Sequence, residues 1–203
     1  MANGVWTNNW RAMKNLMMLG CIQPGLTTLK TVAGATLTDV NPDHAYRTLS
    51  PFASYTGADS AYTAFQGGAN MIRLGTSDAA PAATDYKITL SGDIREVSIG
   101  NESVTYDLQT GSATRAVDLI LENTGAQSVT LREWGVYQRM LYITAHTANW
   151  TSHVVLVYRA LLDTPLTLAP GETAALRLTL AVTLSDPICR ALRSARGCRR
   201  VAQ

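Results

Sequence analysis

The sequence is poor in charge. Asp, Glu, Lys and Arg make up 16% of its 203 residues, against roughly 25% in an average soluble protein. Its 46% hydrophobic content is ordinary, so the chain has the apolar mass for a folded domain of common size, and wholesale disorder is excluded. Cysteine is scarce and odd in number. Cys21, Cys189 and Cys198 form no CxxC pair and stand at no ligand spacing to a histidine. That argues against a disulfide framework or a zinc knuckle and for three reduced thiols, with a Cys189 to Cys198 bridge as the alternative. Long apolar runs are missing too. Nothing approaches the roughly 18 residues of a membrane span. The stretch from Leu16 to Cys21 looks superficially like the end of a lipoprotein signal, but its apolar run is about four residues where about 7 to 15 are needed. A soluble protein made in a cytosol is expected.

Acid is absent from one end. Residues 1–186 carry 12 Lys and Arg against 15 Asp and Glu, whereas residues 187–203 carry five Arg and no acid. The formal net charge of +2 therefore hides a mildly acidic body and a basic tail, and any argument from charge to partner concerns that tail.

Catalytic signatures are lacking as well. There is no GxSxG elbow, no P-loop, no GxGxxG after a strand and no HExxH. Asp39, Asn41 and Asp43 have the opening spacing of a calcium loop, but His44 stands where the glycine is needed and Ser50 where the bidentate glutamate is needed. An Asn-Pro-Asp turn is the plainer reading, and no metal is expected. His44, His146 and His153 are scattered, with no acid between residues 134 and 162 to orient one. Asp93, Glu96 and Glu102 could in principle supply a glycosidase pair, yet strand alternation sends Asp93 and Glu96 to opposite faces. No enzyme activity and no cofactor are expected.

What is present is pattern. Trp6, Trp10, Met13 and Met17 recur at helical steps, predicting one amphipathic helix over residues 6–19, ended by Gly20. Such a stripe docks on its own domain or enters a neighbouring subunit, where Trp and Met make large adaptable contacts. Residues 1–22 form this arm, and residues 23–69, rich in Gly, Pro, Ser, Thr, Asp and Asn, read as short strands joined by irregular connections. From residue 70 the period becomes two. Segments around Ile72, Ile94 to Ile99, Val104 to Leu108, Val117 to Leu121 and Val129 to Val136 read as strands, with Gly100 and Asn101 expected to form a hairpin turn. Val154 to Leu162 reads as a central strand buried on both faces. Leu166 and Leu168 precede Pro170-Gly171, the signature of a type II turn, and Leu176 to Leu184 alternate cleanly with polar residues. An antiparallel β-sandwich over residues 23–186, immunoglobulin-like or jelly-roll-like, follows. Gln138 to His153, with Tyr142 and Trp150, is expected to project as a loop or an extra hairpin.

The tail, residues 187–203, presents Arg190, Arg193, Arg196, Arg199 and Arg200, with a short basic helix expected over 188–196. Arginine makes bidentate contacts to carboxylate and phosphate, so docking on an acidic partner surface, a solvated tail and contact with nucleic acid all stand open. Nucleic acid is weakened by the absence of aromatics to stack bases.

Leu74, Gly75, Thr76, Ala80, Pro81, Asp85 and Tyr86, then Asn123, Thr124, Gly125, Val129, Leu131, Glu133 and Gly135 occur in order. Arg159, Leu161, Leu162, Pro165, Leu166, Leu168, Ala169, Pro170, Gly171, Glu172 and the strand to Leu184 follow. Together, over about residues 70–185, they resemble small structural proteins of tailed bacteriophages. The resemblance implies a non-enzymatic virion component on the tail, neck or capsid surface, assembled in symmetric copies in the host cytoplasm. The expected contacts with other virion proteins are Trp6, Trp10, Met13, Met17 and the five tail arginines, and no membrane is involved. The alternative is a carbohydrate- or receptor-binding module of a tail fibre or capsid decoration, with Tyr142 and Trp150, together with Trp134 and Tyr137, as a stacking platform.

Overall fold

The structure, a computed structural model, describes residues 4–19, 28–37, 72–91, 93–107, 109–143 and 150–183. In chain order the elements are β1 (Gly4–Trp6), α1 (Asn8–Leu19), β2 (Leu29–Lys30), β3 (Thr36–Leu37), β4 (Ile72–Gly75), β5 (Ile94–Asp107), β6 (Ser112–Asn123), β7 (Val129–Ile143), β8 (Trp150–Leu168) and β9 (Thr173–Thr183). The chain forms the expected all-β class, antiparallel throughout the described pairings, with one short N-terminal helix.

Two compact units divide it. The first, residues 1–94 and 123–170, holds a four-stranded sheet in the order β1-β8-β7-β4 and the small β2-β3 pair. The second, residues 95–122 and 171–203, holds the sheet β5-β6-β9. Strands β6 and β9 are thus neighbours although the β7-β8 hairpin separates them in sequence.

In the first unit every residue from Val154 to Ala160 is buried, as is every residue from Glu133 to Gln138. Both runs occupy the two inner positions of the sheet, which is why the apolar stretch in β8 does not alternate. One face carries an aromatic cluster. The rings of Trp6 and Trp10 lie 4.8 Å apart, Trp6 and Tyr158 5.0 Å, and Trp134 and Tyr158 5.1 Å. The other face packs Val32, Ile88, Tyr137, Val154 and Leu156 together. In the second unit Val117, Leu119 and Leu121 of β6 and Leu178 and Leu180 of β9 are buried on alternating positions. The Val117↔Leu178 and Leu119↔Leu176 register places them on one face.

Two expectations are corrected. The helix begins at Asn8 rather than at residue 6, because Trp6 belongs to β1 and is paired with Tyr158 on the sheet edge. Trp6 nonetheless meets the helix, its ring 4.8 Å from that of Trp10. Gly100 and Asn101 make no turn, since β5 runs through them. The reversal comes later, where Asp107 Oδ1 accepts from the N–H groups of Gln109 and Thr110 and Gly111 takes a φ of +66°. The Thr110 hydroxyl also donates to Asp107, and these bonds hold its carboxyl below the usual range. Leu166 and Leu168 lie in the last pleats of β8 before the Pro170-Gly171 corner. β8 continues through Pro165, accommodated where the register shifts between Leu131↔Leu166 and Glu133↔Leu161.

The stretch after Gln138 is an extension of the β7-β8 hairpin, paired as far as Ile143↔Trp150. The type II turn is present, with Gly171 at a φ of +74° and nothing within 4 Å of where a Cβ would sit. Gly171→Ala should therefore cost only the left-handed backbone penalty, about 1 kcal/mol in a denaturant titration. A loss several times larger would contradict the open space around it.

Candidate functional site

The polar chemistry of the first unit gathers over one face of its sheet, where residues 76–91 cross it. In register, Gly75 of β4 stands opposite Glu133 of β7, and Gly135 opposite Arg159 of β8. These positions share a face, and Gly75 leaves room for the Glu133 side chain, whereas a Cβ on Gly135 would meet Leu156 at 2.8 Å and Ile88 at 3.0 Å. A Cβ on Gly75 would stand 2.5 Å from the carbonyl oxygen of Thr89 and 2.6 Å from Glu133 Oε1.

Glu133 is 0% exposed. Its Oε2 accepts from Arg159 Nε at 2.6 Å, and its Oε1 accepts from the N–H groups of Thr89 at 2.8 Å and Ser77 at 3.3 Å. Arg159, also buried, sends Nη1 to Asp85 Oδ2 at 2.7 Å and Nη2 to the Ala79 carbonyl at 2.9 Å. Asp85 Oδ2 also accepts from the N–H of Ala82. Burial alone would lower the guanidinium pKa, but the bonds to Asp85 and Glu133 outweigh it and raise it. A buried charge survives only when paired and hydrogen-bonded, and here each acid is paired with Arg159 and with the main chain of the crossing segment.

Tyr137 adds a further tie, its hydroxyl accepting from the N–H of Ile88 at 3.0 Å. Burial, with Glu133 nearby, pushes its phenol well above the ordinary 10.0, and burial raises Tyr158 too. A folded-state pKa above the unfolded one gives stability that is complete below pH 10 and lost as pH rises further. Alkaline unfolding is therefore expected to begin above about pH 10, and Tyr137→Phe should blunt it while costing about 1–3 kcal/mol at neutral pH for the stranded Ile88 N–H. An unchanged alkaline limb in that variant would mean that Tyr137 does not govern it.

Beside the network, a cavity of about 530 Å³ is lined in part by Asn8, Arg11, Thr28, Lys30, Thr36 and Thr84. Lys30 Nζ sits 4.0 Å from the centre of the Tyr86 ring. The start of α1 is anchored there. Thr7 continues the sheet through its N–H to the Val157 carbonyl, and Asn8 donates to the Ala83 carbonyl at 2.7 Å. Asn9 is buried and uses its whole amide. Nδ2 donates to the carbonyls of Lys30 and Leu156, and Oδ1 accepts from the N–H of Lys30. Chemically this wall can hydrogen-bond, and its described lining includes no His or Cys. Among the described residues no group of three or more His, Cys, Asp or Glu could hold a metal ion.

The residues singled out from sequence are dispersed. Met13 is buried within its own chain, and Trp6 and Trp10 are half-buried against Tyr158 and each other. The helix that carries Met13 packs on β8 and β2. The side chain of Met17 lies outside the described residues, as do Arg190, Arg193, Arg196, Arg199, Arg200, the three cysteines and the Asp39 to Asp43 turn. Of the stacking platform, Trp134 and Tyr137 are buried in the core. Positions Tyr142 and Trp150 pair with Thr151 and Ile143 respectively, which assigns them to opposite faces of the ribbon. Glu133, Arg159 and Asp85 were legible as single residues but not as a cluster. The available signal was a charge lodged inside an apolar run, Glu133 between Leu131 and Trp134 and Arg159 within Val154 to Leu162.

Comparison with known protein families, with curated proteins and with solved structures finds no match to this chain. Among the described residues no helix is long and apolar enough to cross a membrane.

Proposed function

We propose that the protein is a non-enzymatic structural component of a bacteriophage virion, joining copies of itself and neighbouring subunits at the tail, neck or capsid surface. The observation that supports this best is where the polar chemistry goes. Glu133, Arg159 and Asp85, the most elaborate ionic cluster described, are directed at one another and at the main chain of residues 76–91. That use of charge serves a rigid scaffold rather than a reacting group. The ordered motifs over residues 70–185 agree with the reading, and the Pro170-Gly171 corner sits at a strand junction as it would in such a scaffold. The basic tail would add contacts to acidic neighbours, with nucleic acid as the alternative target.

The test is composition. Particles purified from cells producing the virus and washed in high salt should contain this chain at a fixed copy number by mass spectrometry. Particles that lack it would overturn the reading.

A further inference from the structure

The cavity beside the start of α1 is rich in hydrogen-bond donors. Six polar side chains of its described lining, Asn8, Arg11, Thr28, Lys30, Thr36 and Thr84, are exposed, and all six can donate. No hydrogen bond or ion pair among the described residues engages any of these side chains. Asp85, the one acid in the described lining, gives its Oδ2 to Arg159 and to the N–H of Ala82. Positive charge collects there as well. Lys30 Nζ lies 4.0 Å from the centre of the Tyr86 ring and Lys87 Nζ 5.6 Å from it, so one ring gathers two ammonium groups, and Arg11 adds a third cation from α1. That concentration runs against the rest of the chain, since residues 1–186 carry more acid than base. The volume of about 530 Å³ falls within the roughly 300–1,000 Å³ of small-molecule sites.

We infer that this cavity takes a small ligand that carries an oxyanion, a phosphate or a carboxylate, on a hydroxylated body of sugar size. Arg11 and Lys30 meet the oxyanion, the guanidinium as a planar fork and the ammonium as a compact charge. The hydroxyls of Thr28, Thr36 and Thr84 and the amide of Asn8 both donate and accept, which suits the hydroxyls of the ligand. A neutral sugar would leave both cations unanswered. The inference is independent of the virion reading, which gives this cavity no role.

The experiment is titration calorimetry on the full chain at near-physiological salt, where loose attraction between exposed charges is screened. Glucose 6-phosphate, glucuronate and glucose are the probes. At least one of the two anions should bind one to one, and glucose about tenfold more weakly or not at all. The double variant R11Q/K30Q should weaken the anion about tenfold or more. Its circular dichroism and melting temperature should stay close to wild type, because both side chains are exposed. Arg177→Gln removes a cation of the second unit that is not in the described lining, and should bind as wild type does. Binding of glucose 6-phosphate alone names phosphate as the group and binding of glucuronate alone names carboxylate; either result, or both anions binding, supports the inference. Absence of binding by either anion at millimolar concentration, glucose bound as tightly as the anions, undiminished binding by folded R11Q/K30Q, or an equal loss in Arg177→Gln would each overturn it.

Discussion

Replacing Arg159 by methionine should destabilise the protein by about 3–5 kcal/mol, the cost of leaving a buried carboxylate without its partner. Glu133 is fully buried, and its remaining donors would be two main-chain N–H groups. The Ala79 carbonyl and Asp85 would lose their bonds to the guanidinium at the same time, so the segment 76–91 should loosen along with the sheet. At roughly 2–4 °C per kcal/mol for a chain of this size, the melting temperature should fall by about 10 °C. Adding Glu133→Gln to the methionine variant should recover part of the loss, because a neutral amide carries no buried charge and its oxygen can still accept from Thr89. A methionine variant within about 1 kcal/mol of wild type would show that the carboxylate is rehydrated at little cost and that the ion pair does not hold the segment.

Asn9→Asp should be nearly as damaging, about 2–4 kcal/mol at neutral pH. The wild-type amide donates to two carbonyl oxygens from one atom, and a carboxylate there would face both with nothing to give. Burial next to acceptors raises the pKa of the new acid above its unfolded value. By linkage, its penalty is then smallest below the unfolded pKa and grows as pH rises through the folded one. Denaturant titrations of variant and wild type at pH 4 and pH 7 should therefore differ more at pH 7. Equal differences at both would mean that the side chain had swung out to solvent.

The fold was legible where one physical cause set the pattern. The alternation in β9 records a sheet covered on one face, and the unbroken run in β8 records an inner strand covered on both. The Pro170-Gly171 corner was legible because only glycine enters the left-handed region freely. Misreading came where two causes give the same letters. Gly100-Asn101 has the composition of a hairpin turn, but a glycine facing Asp118 across the sheet serves as well inside a strand. Trp6 fits a helical stripe and a strand equally, and only the pairing with Tyr158 decides between them. The Glu133, Arg159 and Asp85 cluster was hidden for a different reason. Its members are 26 and 74 residues apart in sequence, and register, which brings them together, depends on bulges that no local pattern announces.

The tie between Thr7 and Leu156 spans 149 residues, and it sets an order of events during synthesis. At about 5–20 residues per second, a ribosome that has made Thr7 needs roughly 8–30 s more to make the strand on which it will lie. For that interval Trp6 and Trp10 have no sheet beneath them, so any chaperone that handles the growing chain meets them uncovered.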